Sequence, residues 1–211
     1  KRAEINNVNY INRATKAIYE LGSTFKTFTL AAAFNEGIIE PKTEFKDLKK
    51  KIQCDKYTIG EYDDKIPSDL TAEQILVRSG NIGSVRIAQK LGVKKFRSFL
   101  DKIGILDKIE FDIEEVGEPR VGPWGKCKLA TVAFGHGVST TVLQLAKAYS
   151  IISNGGYDIK PSLINNDLKK KEKRTRILNE GVSKKINSIL RKVVSTENGT
   201  ANFANVSGYE I

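Results

Sequence analysis

Between Gly22 and Gly37 the chain reads Ser-Thr-Phe-Lys-Thr-Phe-Thr-Leu-Ala-Ala-Ala-Phe-Asn-Glu. Phe28, Leu30, Ala31, Ala32, Ala33 and Phe34 leave this stretch no polar face, so a helix here must be covered on every side. The stretch therefore reads as a buried helix ending at Gly37. Ser23 in the first turn and Lys26 three residues on share one helix face, with Cβ atoms about 5–6 Å apart. This is the geometry of a serine nucleophile with a lysine base, and it needs neither histidine nor metal. Gly22 permits a tight entry into the turn, and the helix N-terminus favours a developing alkoxide. The apolar surroundings desolvate Lys26 and lower its pKa, as a base working near neutrality requires.

Alone, S-x-x-K is a weak pattern in a chain with 35 Lys and Arg, and a helix cap beside a solvated lysine would be spelled the same way. Composition narrows the choice. A single His and two Cys leave few other catalytic constellations open. Cys54 and Cys127 form no C-x-x-C pair, so metal binding is not expected; they read as two isolated buried thiols, with a disulfide left open. The 211 residues, 40% hydrophobic and 28% charged, suit one globular domain with a sizeable core. No apolar stretch approaches the roughly 18–20 residues of a membrane span. The chain has no Met, and Ser207-Gly208-Tyr209-Glu210-Ile211 reads as a turn entering a strand, which together suggest a piece of a longer protein.

The net charge of +10 is compatible with nucleic acid, an anionic surface or a lysine-rich habit. Lys49-Lys50-Lys51 and Lys169-Lys170-Lys171 lie outside the periodic apolar segments and lack interleaved aromatics. They read as solvated loops, not as a nucleic-acid groove.

Along the chain, residues 1–22 form a loop or edge strand feeding the first helix. Residues 45–67 break into short alternating pieces that predict a small hairpin. Thr71 N-caps a helix reaching Val77, with Glu73 and Gln74 in its first turn. Helices follow from Ile82 to Leu91, closed by Gly92, and from Val93 to Ile103, closed by Gly104. The stretch from Gly117 to Gly125 is irregular. A helix from about Thr141 to Ser153 stops at Gly155-Gly156, residues 157–180 predict a hairpin around the second lysine run, and Val182–Val194 is amphipathic.

Ser79-Gly80-Asn81 sits in a tight turn between two of these helices, where a hydroxyl and an amide can face a cleft; either side chain would also serve as a cap for the next helix. S-x-x-K followed by S-x-N is the pairing found in β-lactamases and penicillin-binding proteins. The likeness extends further. Asn12-Arg13-Ala14 and Tyr19-Glu20-Leu21-Gly22-Ser23-Thr24-Phe25-Lys26 resemble the N-R-A and E-P-G-S-T-F-K segments of class B penicillin-binding proteins. Ser79-Gly80-Asn81-Ile82-Gly83 resembles their S-S-N-I-G. Phe134-Gly135-His136-Gly137, running on to Thr141-Val142-Leu143-Gln144-Leu145-Ala146, resembles F-G-x-G and T-P-L-Q-L-A. Asn154-Gly155-Gly156 and Gly199-Thr200-Ala201 match its N-G-G and G-T-A in order. Leu21 and Val142 replace prolines at helix approaches, where proline is convenient and not chemically required.

The resemblance implies an α+β penicillin-binding/serine β-lactamase-like transpeptidase fold, with residues 1–211 a partial transpeptidase domain, mainly its helical part. It implies a division-type peptidoglycan D,D-transpeptidase, with Ser23 as nucleophile, Lys26 as base, Ser79 as proton relay, and Asn81 bonding Lys26 and substrate. No cofactor or metal is expected. Peptidoglycan stem peptides, β-lactam antibiotics and division or elongation proteins are the expected partners, with no nucleic acid. A bacterial membrane-anchored protein with its catalytic domain on the periplasmic or extracellular side is implied. The family's third motif, K-S/T-G, is absent from these residues and expected just beyond Ile211, so the piece alone is expected to be inactive. His136 is expected to mark a sharp turn lining the cleft. The competing readings are a serine β-lactamase, for which Glu114, Glu115 and Glu118 start no E-x-x-L-N pattern, a non-catalytic β-lactam sensor or scaffold, and a basic nucleic-acid binder.

Overall fold

The computed structural model describes residues 10–125, 127–164 and 174–209. Its centre is α1 (Lys26–Asn35), entered through a 3-10 turn at Gly22–Phe25. Every residue from Lys26 to Phe34 is buried. The coat demanded by the sequence is supplied by α2 (Ala72–Val77), α3 (Asn81–Leu91), α4 (Val93–Lys102) and α7 (Glu180–Ser195), all of which pack on α1. Phe25 meets Phe28 edge-on at 5.6 Å and Phe96 of α4 at 6.3 Å, and Phe28 meets Tyr149 at 5.1 Å. Such edge-to-face pairs fix ring positions as well as burying area.

The largest sheet among the described residues has three antiparallel strands in the order β1, β7, β6. Here β1 is Ile18–Glu20, β6 is Arg120–Val121 and β7 is Val138–Thr141. Tyr19 pairs with Thr140, and Ser139 faces Glu20 on one side and Arg120 on the other. The edge strand expected before the first helix is therefore β1. Two smaller pairs join β2 (Glu44–Phe45) to β5 (Leu70–Thr71), and β3 (Lys51–Cys54) to β4 (Tyr57–Gly60), the latter being the predicted hairpin.

Helix starts follow local chemistry. Thr71 caps α2 by accepting the Gln74 N–H at 3.2 Å, while the Gln74 side chain accepts the Thr71 N–H at 2.9 Å. Thr141 and Gln144 repeat this box at α6 (Val142–Ser153), and the buried Gln144 amide also donates to the carbonyls of Gly104 at 3.1 Å and Asp107 at 2.6 Å. One glutamine thus caps a helix and ties the α4–β6 connection to it. Asn154 closes α6 by accepting the N–H groups of Gly156 at 3.1 Å and Tyr157 at 2.8 Å, which accounts for the Asn-Gly-Gly spelling.

Two expectations change. Cys54 and Cys127 are not two isolated buried thiols: they form a disulfide, with Cα atoms 5.7 Å apart, joining β3 to the start of α5 (Lys128–Val132). Both are only half-buried. The helix α5 itself carried too short an apolar period to be read from sequence. Neither Ser79 nor Asn81 caps α3 with its side chain; Gly80 holds the cap position and Asn81 is the first helical residue. Of the hairpin expected over residues 157–180, the described part is a single antiparallel bridge between Tyr157 and Arg176. Lys169, Lys170 and Lys171, and the strand expected at Glu210-Ile211, lie outside the described residues.

Candidate active site

The serine turn is built by a close approach of two glycines. Gly22 N–H donates to the Gly135 carbonyl at 3.3 Å, and a Cβ on Gly135 would stand 2.0 Å from the Gly22 carbonyl oxygen. Gly135 also has φ +87°, in the left-handed region that glycine tolerates. The Phe134-Gly135-His136-Gly137 signature therefore works as the backing of the serine turn. Glu20 reinforces it by accepting the Gly137 N–H at 2.8 Å. On the other side the Tyr149 hydroxyl donates to the Thr24 carbonyl at 2.8 Å and pairs with the Thr27 hydroxyl at 3.0 Å. His136 is exposed and lays its ring on Phe134, 5.0 Å between centroids, as a turn residue would.

Ser23 and Lys26 come together as the helical spacing requires, but through a 3-10 turn that hands over to the α-helix at Lys26. Ser23 is exposed while Lys26 is 0% exposed, so the nucleophile faces solvent and the base lies behind it. Lys26 Nζ stands 3.1 Å from Ser23 Oγ, 2.9 Å from Ser79 Oγ and 2.5 Å from the Ser79 carbonyl oxygen. An ammonium can donate to all three. A neutral amine donates two of these bonds and turns its lone pair to a serine hydroxyl, which is the base's posture. Burial pushes the Lys26 pKa down from 10.5 to about 8, against the opposing pull of the Glu61 carboxylate.

Ser79 carries φ +53°, a left-handed conformation rare for a residue with a side chain. It is the conformation in which a helix commonly ends, and here the Ser79 N–H donates to the Leu76 carbonyl at 3.0 Å and the Gly80 N–H to the Ile75 carbonyl at 2.9 Å, closing α2. It also directs both the hydroxyl and the carbonyl of one residue at the lysine. Asn81 does not bond Lys26: its Nδ2 donates to the Gly60 carbonyl at 2.9 Å. The carboxamide is thus oriented by the β3–β4 hairpin. Sequence reasoning missed Glu61, whose carboxylate accepts the N–H groups of Asn81 at 2.6 Å and Ile82 at 2.9 Å. A glutamate after a hairpin carries no local signal for a contact twenty residues on. No group of side chains arranged to hold a metal ion occurs among the described residues.

Comparison with known proteins fits this geometry. The chain is 28% identical over 204 residues to a probable peptidoglycan D,D-transpeptidase FtsI of Caulobacter vibrioides, covering 95% of this chain and 34% of that protein. It is 30% identical over 209 residues to stage V sporulation protein D of Bacillus subtilis, covering 92% of this chain and 32% of that one. The chain thus spans about a third of the length of these relatives. Among solved structures, the transpeptidase domain of Burkholderia pseudomallei penicillin-binding protein 3 superposes with a TM-score of 0.85 at 25% identity, over 94% of this chain and 60% of that one. The family described as penicillin binding protein transpeptidase domain matches residues 1–211. With its serine, lysine and S-x-N turn assembled on that fold, the chain belongs to the penicillin-binding protein transpeptidase family.

Proposed function

We propose that these residues form part of a peptidoglycan D,D-transpeptidase that works through an acyl-serine. Ser23 Oγ attacks the penultimate carbonyl of a stem peptide ending in D-alanyl-D-alanine, and its proton passes to neutral Lys26 Nζ. Ser79 Oγ, bonded to the same amine, relays a proton to the departing D-alanine amine. The Ser23 ester is then taken by an amine of a neighbouring stem, which forms the cross-link and frees the serine. Asn81 is held by Gly60 through its Nδ2, which leaves the carboxamide oxygen to accept the substrate amide N–H. The Ser23 N–H is one oxyanion donor. The resemblance assigns the second to a K-S/T-G strand, and no K-S/T-G occurs in these 211 residues. β-Lactams would acylate the same serine and stay, because their leaving amine remains tethered.

The observation that carries this reading is the fully buried Lys26 amine within hydrogen-bond reach of both serine hydroxyls. A membrane-anchored protein whose catalytic domain faces the cell-wall compartment, with division or elongation proteins as partners, goes with it. The Cys54–Cys127 disulfide supports an oxidising compartment. No described helix is long and apolar enough to cross a membrane. The test is labelling of the full-length protein with a fluorescent penicillin. Wild type is expected to take up the label covalently and Ser23→Ala none; labelling that survives in Ser23→Ala refutes the assignment.

A further inference from the structure

The Ser79–Gly80–Asn81 turn is gripped by three consecutive residues at the end of the β3–β4 hairpin. The Gly60 carbonyl accepts from Asn81 Nδ2 at 2.9 Å. Glu61 Oε2 accepts the Asn81 N–H at 2.6 Å and Oε1 the Ile82 N–H at 2.9 Å. The Tyr62 hydroxyl donates to the Arg78 carbonyl at 3.0 Å. Since α3 has no side-chain cap of its own, Glu61 is what satisfies its first two N–H groups. A carboxylate there is also favoured by the helix dipole. The hairpin is anchored in turn by the Cys54–Cys127 disulfide.

The turn needs such a grip. Ser79 sits at φ +53° where α2 ends, its N–H donating to the Leu76 carbonyl at 3.0 Å and the Gly80 N–H to the Ile75 carbonyl at 2.9 Å, while Lys26 holds its carbonyl and hydroxyl. Those bonds hold the α2 side of the turn; released from Glu61 on the α3 side, the turn could shift as a unit and carry Ser79 Oγ away from the amine. At the Tyr62 hydroxyl, burial, Asp63 and Glu61 raise the pKa and Arg78 opposes them, and the Lys65 carbonyl accepts from Arg78 close by. Among the described residues, Glu61 places a charge that bears on Lys26, where it favours the ammonium.

We infer that Glu61 is a positioning residue for acylation: its carboxylate holds the Ser79–Gly80–Asn81 turn so that Ser79 Oγ stays on the Lys26 amine. The inference rests on the acyl-serine reading above. A cap with no further role would alter stability and leave the pH dependence of acylation where it was.

The experiment measures the rate of fluorescent-penicillin labelling of the full-length protein between about pH 6 and pH 10 for wild type, Glu61→Gln and Glu61→Asp, with melting temperatures alongside. Glu61→Gln keeps an acceptor and removes the charge. Its midpoint is expected to move to lower pH by about half a unit or more, because the group favouring the ammonium is gone. Glu61→Asp keeps the charge and shortens the reach, so its midpoint should hold while its plateau rate falls about 10-fold. A lowered plateau in Glu61→Gln supports the inference as well; an unmoved midpoint and an unmoved plateau together overturn it, whatever happens to its melting temperature. Should Glu61→Gln fail to fold, an unchanged plateau in Glu61→Asp overturns it equally. If wild type takes up no label, the acyl-serine reading itself falls; if wild type labels and Ser23→Ala does not, failure in the Glu61 variants touches only this inference.

Discussion

Lys26 is the residue where stability and chemistry oppose each other. A group whose basic pKa falls on folding binds fewer protons in the native state than in the unfolded one. Its burial therefore opposes folding below the native value and is relieved as pH rises between the two. For Lys26 that window runs from about 8 up to 10.5, and the cost below it is about 3 kcal/mol. Two outcomes are expected. Penicillin labelling should rise with pH and level off above about 8. Lys26→Met should abolish labelling while raising stability at neutral pH by about 1–3 kcal/mol, read from chemical denaturation. A destabilised Lys26→Met would mean that the three hydrogen bonds of the amine outweigh its desolvation. The Ser23–Lys26 pair was legible in sequence because helical spacing alone sets it. The second contact of the amine, with the backbone of Ser79, was not, since it depends on a left-handed residue fifty-three positions away.

At the scale of elements, the two capping boxes separate local from tertiary roles. The Thr71 hydroxyl serves its own helix, while its backbone pairs with Glu44, so Thr71→Ala should cost about 1 kcal/mol and leave labelling unchanged. Gln144 is fully buried and bonds two carbonyls of the α4–β6 connection besides the Thr141 cap. Gln144→Ala leaves those carbonyls without that donor and should cost about 2–4 kcal/mol by the same denaturation measurement. Most helix boundaries were readable because Thr, Gly and apolar period coincide there. The exceptions are instructive. Five-residue α5 and two-residue β6 are too short for any periodicity, and they exist because neighbouring segments hold them in place.

For the molecule as a whole, the disulfide is the long-range tie. It joins positions 73 residues apart, and closing such a loop in the unfolded chain corresponds to about 4 kcal/mol in the chain-entropy picture. Replacing Cys54 and Cys127 together by Ser is expected to lower stability by about 2–4 kcal/mol, and reductant should do the same to wild type and nothing to the double variant. The tie also fastens to the body of the domain the hairpin that carries Gly60, Glu61 and Tyr62. Stability and the order of the S-x-N turn therefore share one support.

An apolar run with no polar face, read without any structure, already requires a central helix, and its first turn already pairs a serine with a lysine. These are consequences of local spacing and of the aversion of apolar surface to water, which act on neighbours in the chain. Which groups meet the lysine from elsewhere was decided by packing. The meeting of Ser79 with Lys26, the Glu61 grip on α3, the glycine contact behind Ser23 and the pairing of the cysteines are all contacts between distant segments. Linear order carries no distance information for such pairs, and only the closing of the coat around α1 brings them within reach.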